Sequence, residues 1–401
     1  MDESSRATGW FRGIPGTVWA LGLVSLFMDI SSEMIHSLLP VFLAVGLGVS
    51  TLSIGIIEGA AEATALITRV FSGYLSDRLG KRKALAVAGY AIGTLTKPLF
   101  ALATGVKLVF AARFLDRIGK GIRGAPRDAL IADITSVEMR GASFGLRQSM
   151  DTAGAVAGPL LASLLMFLFS DRFRPVFWCA VLPGVIAVML LVFGVREPEH
   201  HGNTEKTQLP RLNDMGRFGR PFWLVVVFGS IFTLARYSEA FLLLRAQSVG
   251  VSLPLVPIFL VIMNIVYTLS AYPAGIISDR MGRTVLLVCG CIVLIAADMV
   301  LAFASGPATV ALGVALWGLH MGFTQGIFAA LVADSSPGNL RGSAFGIFSL
   351  ITGISMLAAS VIAGLLWDSL GPGAPFLASA ACAASGLTGY CLLKSRKQQQ
   401  P

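Results

Sequence analysis

The chain has 401 residues, 55% of them hydrophobic and only 13% charged, with a mean hydropathy of +0.76. A soluble chain carries about a quarter charged residues, so the polar groups here are too few to coat a set of water-soluble domains. The net charge of +9 would suit a nucleic-acid partner only if Lys and Arg formed one face of a soluble module; they fall mostly in short connections between apolar stretches, and no nucleic-acid partner is expected.

A helix needs about 20 apolar residues to cross a bilayer. Twelve such stretches follow one another, at about 16–40, 51–76, 83–105, 107–132, 141–169, 175–195, 221–246, 253–278, 284–305, 308–333, 342–366 and 373–393. The predicted fold class is therefore an all-α, polytopic membrane protein. Acids near the N-terminus, Asp2 and Glu3, stand where a signal peptide would carry positive charge, so that end is expected to be retained. One long polar interruption, residues 196–220, divides the chain into two six-span bundles, 1–195 and 221–393, with a tail at 394–401. The N-terminus, the 2–3, 4–5, 6–7, 8–9 and 10–11 connections and the tail hold 18 of the 31 Lys and Arg residues. The positive-inside rule then predicts both termini in the cytoplasm, as in a bacterial-type inner membrane.

An ionisable residue within a span is expensive and functional by default. In the first span Asp29, Glu33 and His36 lie within about 60° on a helical wheel, and Glu58, Glu62 and Arg69 of the second within about 40°. The third carries Lys97 before Pro98. In the fourth, Arg113, Asp116, Arg117, Lys120, Arg123, Arg127 and Asp128 share an arc of about 140°, and the fifth has Arg147 and Asp151 at i, i+4. A buried network joining these cations to Asp29, Glu33, Glu58 and Glu62 is costly unless fully paired, and would rearrange when one carboxylate takes a proton. Glu33 and Glu62 are the first choices for that proton. The alternative use of the basic stripe, with Lys97, Arg117, Lys120 and Arg123 as substrate contacts, is to grip an anion, since Arg binds carboxylate or phosphate bidentately. The second half is sparer: Arg236 and Glu239, Asp298, His320 and Gln325. Arg236, Glu239 and His320 are further substrate-contact candidates; His320 in an apolar run also suits a plain interhelical hydrogen bond. Ser238-Glu239 stands where a repeat of Ser32-Glu33 would fall.

The halves do repeat. Gly73-x-x-x-Asp77-Arg78-x-Gly80-Lys81-Arg82 recurs as Gly275-x-x-x-Asp279-Arg280-x-Gly282-Arg283, and Ala132-Asp133 … Arg140-Gly141-x-x-Phe144-Gly145 recurs as Ala333-Asp334 … Arg341-Gly342-x-x-Phe345-Gly346. Parallel repeats of this kind recur in transporters whose substrate site lies between the halves. On these loop motifs the chain resembles the major facilitator superfamily over about residues 15–393. The resemblance implies two six-helix bundles, a gate latched by Asp77 and Asp279, and a turn eased by Gly80 and Gly282. Gly154-x-x-x-Gly158-Pro159 in the fifth span resembles the motif of the proton-coupled antiporter branch, with Ala162 and Ser163 in place of its last glycines. Arg113 matches the early Arg of the superfamily's fourth span, whereas Arg117, Lys120 and Arg123 depart from that pattern.

Other motif matches fail on context. Gly119-x-Gly121-x-x-Gly124 lacks the preceding strand of a dinucleotide site, and Gly141-x-Ser143-x-Gly145 lacks a hydrolase sheet. Glu199-His200-His201 has no further spaced ligands. The five cysteines, Cys179, Cys289, Cys291, Cys382 and Cys391, sit in apolar runs without a C-x-x-C pair and suit packing. The reading is a proton-coupled transporter of small organic molecules, leaning toward export, with no enzymatic activity, cofactor or metal expected and a monomer sufficient. Its alternative is proton-driven uptake of an organic anion: a carboxylate, an organic phosphate or an anionic metal chelate such as a siderophore.

Overall fold

A computed structural model describes residues 14–136, 139–197, 218–281, 283–337 and 340–398. Every regular element among them is helical. The α-helices of seven residues or more are, in chain order, α1 (Gly16–His36), α2 (Thr51–Leu79), α3 (Arg82–Leu102), α4 (Val106–Ile134), α5 (Arg140–Leu168), α6 (Phe173–Cys179) and α7 (Val181–Gly194). After the central segment come α8 (Arg220–Leu234), α9 (Ala240–Ser248), α10 (Ile258–Met281), α11 (Arg283–Ala302), α12 (Pro307–Asp334), α13 (Arg341–Leu370) and α14 (Ala374–Gln398). With lipid on the outside, the backbone must satisfy its own hydrogen bonds, and helices do so within one segment.

Among the described residues, eight helical stretches are long and apolar enough to cross a membrane: α1 with its continuation to Gly46, α3, α5, α6 with α7, and α10 to α13. α2 and α4, each of which carries several of the ionisable residues singled out above, fall outside that set. The apolar parts of α8 and α14 are shorter. Several stretches expected as single spans are interrupted, among them 175–195 at Ala180 and 221–246 between Leu234 and Ala240.

The helices gather into two compact units. One holds α1, α3 to α7 and the part of α2 from Thr64; the other holds α8 to α14 with Ser37–Ala63, which includes the first half of α2. The first unit is centred on apolar side chains of α1, α3 and α7, among them Leu21, Val24, Met28, Tyr90, Ala187 and Leu191. A core of the second is built from Phe222 and Val226 of α8, Val332 of α12, and Ala344 and Ile347 of α13.

In the second unit the start of α2 is capped from α13. Asp368 accepts hydrogen bonds from the backbone N–H groups of Thr51 (3.0 Å) and Leu52 (2.8 Å). A carboxylate there satisfies orphan donors and complements the helix dipole. Asp368→Ala is expected to lower stability by about 1 kcal/mol, read as an earlier thermal midpoint in detergent, with Asp368→Asn retaining much of the wild-type value. Arg245 of α9 does the reverse task, donating to the carbonyls of Leu301, Ala302 and Ala304 at 2.8, 3.1 and 2.8 Å, at the C-terminal end of α11.

Candidate functional site: a buried charge network in the first unit and a broken helix in the second

Close helix approach creates the network. On α3, a Cβ at Gly89 would lie 2.7 Å from the carbonyl oxygen of Gly119; on α4, a Cβ at Gly119 would lie 2.7 Å from that of Gly89. The two backbones touch, as small residues permit in a membrane bundle. Gly154 and Gly158 do the same for α5 against α1, where added Cβ atoms would meet the carbonyl oxygens of Leu26 (2.7 Å) and Ile30 (2.9 Å). Pro159 lies within α5 directly after this contact. The glycine motif of the fifth span thus brings Arg147 and Asp151 of α5 beside the α1 face that carries Asp29 and Glu33.

The α4 stripe is shared out among carboxylates. Lys97 donates to Asp116 at 2.8 Å and to the Ser32 hydroxyl at 3.1 Å. The side chains of Lys97 and Asp116 are only 1% and 6% exposed, so neither has water as an alternative partner. Arg117 lies 3.8 Å from the same carboxylate, and Arg113, also buried, acts on it electrostatically. Two turns on, Arg123 sits 3.8 Å from Asp29 and stacks over the Tyr90 ring at 4.8 Å, a cation–π contact. Arg127 donates to Asp128 at 3.2 Å and to Ser25 at 3.0 Å, and lies 3.7 Å from Asp151. Arg147 donates to Asp151 at 2.6 Å and approaches Asp128 at 3.7 Å, while Arg69 of α2 reaches Asp128 at 3.1 Å. Glu33 pairs with His36 at 3.2 Å. Lys120 is exposed and within electrostatic reach of Asp29 and Glu33. Asp29 and Asp151 are within electrostatic reach of each other, with Arg123 as the counter-ion of the first and Arg127 near the second.

Glu58 and Glu62 lie on the half of α2 that packs in the second unit. Arg236 is within electrostatic reach of Glu62, Glu239 and Tyr267, and Tyr267 donates to Gln325 at 3.1 Å. Arg236 and Glu239 both sit in the break between α8 and α9. The break contains neither Gly nor Pro. Side chains hold it: Ser360 of α13 accepts from the Ser238 N–H at 3.2 Å, and Ser238 accepts from the Ala240 N–H at 3.3 Å. A discontinuous helix at this depth exposes backbone polar groups where a substrate or ion can use them. Tyr237 is buried against Phe241, Trp317 and Phe376, with ring centroids 5.2, 5.7 and 5.7 Å away. His320 of α12 is fully buried and its Nδ1 meets the carbonyl of Gly290 at 3.1 Å, an interhelical contact.

At the loop motif, Gly80 has φ of +64°, the left-handed conformation that allows α2 to turn directly into α3. Arg78 donates to Tyr74 at 3.5 Å, and Arg82 donates to Asp133, which joins the two repeated motifs, and to the carbonyl of Ala129. The side chains of Asp77, Asp279, Arg280 and Arg283, and the whole of Gly282, lie outside the described residues. A Cβ at Gly73 would make ordinary contact with Ala125, and Gly275 has open space around it. Cys179, Cys289, Cys291 and Cys382 are free thiols; Cys391 and Glu199-His200-His201 fall outside the described side chains.

The sequence model of the Major Facilitator Superfamily matches residues 21–263 and 230–401. The chain belongs to the Major Facilitator Superfamily. An MFS-type transporter of Methanocaldococcus jannaschii is 33% identical over 362 residues, covering 89% of each chain. Multidrug resistance protein 2 of Bacillus subtilis is 23% identical, covering 88% of this chain and 89% of its own. Among solved structures, that of the nucleoside transporter NupG superposes with a TM-score of 0.74 at 15% identity, covering 94% of this chain and 98% of the other; at that identity it shows the shared superfamily fold. Superfamily membership and the apolar helices make this an integral, multi-pass membrane protein of a transporter family, whose substrates are small molecules.

Proposed function

We propose that this superfamily member is a proton-coupled exporter of small organic molecules, working by alternating access in the inner membrane as a monomer. In this reading the twelve apolar stretches are twelve spans in two six-helix halves, 1–195 and 221–393, joined by a cytoplasmic loop at 196–220. Both termini, including the tail at 394–401, are cytoplasmic. One observation carries the coupling: Asp29 lies 3.8 Å from Arg123, Asp151 lies 3.7 Å from Arg127, and Arg127 is within electrostatic reach of both carboxylates, which repel each other. A proton on either carboxylate removes that repulsion and frees an arginine, so protonation changes which helices α4 holds. Glu33, paired with His36, is the neighbouring exchange group, and Asp77 and Asp279 latch the gate. The resemblance of the Gly154–Pro159 motif to that of antiporters, and the relative named for multidrug resistance, support export.

In inverted vesicles with an imposed proton gradient, lipophilic cations are expected to dissipate the gradient through the wild-type protein. Asp29→Asn and Glu33→Gln are expected to abolish that response while still reaching the membrane, and Asp77→Asn to slow it. Normal dissipation by all three variants would sink the coupling and gate assignments together.

A second reading, proton-driven uptake of an organic anion, is favoured by the charge balance of α4. From Arg113 to Asp128 it carries five cations and two carboxylates. Anion-selective dissipation that disappears in Arg117→Ala or Lys120→Ala would select this reading over export of cations.

A further inference from the structure

The second unit holds a buried carboxylate that the network of the first does not use. Asp298 of α11 is 0% exposed. Among the described residues no Lys, Arg or His forms an ion pair with it. Its Oδ2 lies 2.5 Å from the Ser379 hydroxyl of α14, and among the described residues its Oδ1 has no hydrogen-bond partner. An isolated carboxylate buried as an anion is among the most expensive groups a protein can hold.

Ser379 decides the protonation state by counting hydrogens. Its Oγ also contacts the carbonyl oxygen of Ala235, the residue that closes α8 at the break. Among the described residues no backbone N–H reaches that carbonyl, and a terminal helix carbonyl needs a donor. A hydroxyl has one proton. If Ser379 gives it to Ala235, an ionised Asp298 would face an oxygen lone pair at 2.5 Å with no hydrogen between them. A protonated Asp298 supplies the missing one, in the order Asp298 Oδ2–H to Ser379 Oγ–H to the Ala235 carbonyl. The oxygens are also too close to admit a sodium ion at their centre.

We infer that Asp298 is a proton-binding site of the second unit, and that its proton, passed through the orientation of Ser379, fastens the end of α8 at the break bearing Arg236 and Glu239. Loss of the proton to solvent turns the Ser379 hydroxyl toward the carboxylate and leaves the Ala235 carbonyl without its donor. Among the described residues, the elements packed around α11 supply no competing partner. Tyr237 in the break is the titratable group that senses the Asp298 charge. His320 of α12 is engaged at Gly290, two turns earlier on α11. Arg245 of α9 is engaged by the carbonyls that end α11. Tyr267 of α10 faces Gln325, Arg236 and Glu239, and Cys382 of α14 contacts Ile231. This site does not depend on the export reading, because its test reads the proton and not transport.

The full-length protein in lipid vesicles is examined by infrared difference spectroscopy across a pH series. The wild type is expected to show the carbonyl stretch of a protonated carboxylic acid at neutral pH, fading as pH rises, and Asp298→Asn to lack that band. Ser379→Ala keeps the carboxyl but removes its acceptor, so the band is expected to persist at higher frequency; this arm stands alone if Asp298→Asn does not fold. An identical band in wild type and Asp298→Asn overturns the assignment, as does a Ser379→Ala band at the wild-type frequency. Replacing choline by sodium at constant pH is expected to leave the spectrum unchanged; loss of the band on adding sodium would make the site a metal-cation site and overturn it too.

Discussion

Lys97→Met is expected to destabilise the protein by about 3 kcal/mol, toward the lower end of the range for breaking a buried ion pair. The ammonium lies 2.8 Å from Asp116, and the two side chains are only 1% and 6% exposed. Arg117 at 3.8 Å and Arg113 remain to compensate in part, which is why the loss stays near that end. The decisive measurement is a double-mutant cycle on thermal or denaturant unfolding in detergent. Lys97→Met combined with Asp116→Leu is expected to be more stable than the sum of the single losses predicts, with a coupling of about 1–3 kcal/mol. Additive losses would mean that the two groups are held by something other than each other.

Gly119→Ala is the second large effect. An added methyl group would stand 2.7 Å from the carbonyl oxygen of Gly89 and 2.9 Å from the backbone N of Gly93. Backbone cannot rotate aside as a side chain can, so α3 and α4 must separate. Overpacking of this kind costs about 1–3 kcal/mol, here expected at the upper end, and widening the helix pair also stretches the Lys97–Asp116 contact. Gly145→Ala is the matched control, since nothing lies within 4 Å of the position its Cβ would take. The helical preference for Ala should make it neutral or slightly stabilising. Equal unfolding midpoints for Gly119→Ala and the wild type would show that the two backbones do not touch in the membrane.

Much of this architecture is legible in the residues. Runs of apolar side chains locate the helices, and the 3.6-residue period puts Arg113, Asp116, Arg117, Arg123 and Arg127 on one side of α4, where the last four each lie within 4 Å of an opposite charge. Periodicity assigns a face but not the neighbour it meets. The partners depend on where backbones approach, and that is set by Gly89 and Gly93 of α3, whose signal is a pair of glycines four apart. The same limit hides Asp368, a lone acid near the end of an apolar run that caps a helix more than 300 residues earlier in the chain. It also hides the interruption at Ala235–Glu239, which has no Gly or Pro to announce it and is held by Ser360 and Ser379. Charge counting misleads in the opposite direction at α4, where Arg113, Asp116, Arg117 and Arg123 are buried inside the first unit and lower an average that assumes contact with lipid.

The second helix has a mechanical consequence. From Thr51 to Leu79 it is continuous, with no proline, and about 43 Å long at 1.5 Å per residue. Its first half packs with α13 and is pinned there by Asp368; its second half packs with α4, where Gly121 faces Thr68. Within the second unit, the Asp368 clamp and the close approach of Gly55 and Gly59 to Ser360 and Leu357 bind the start of α2 to α13, so that this stretch and α13 move as one piece.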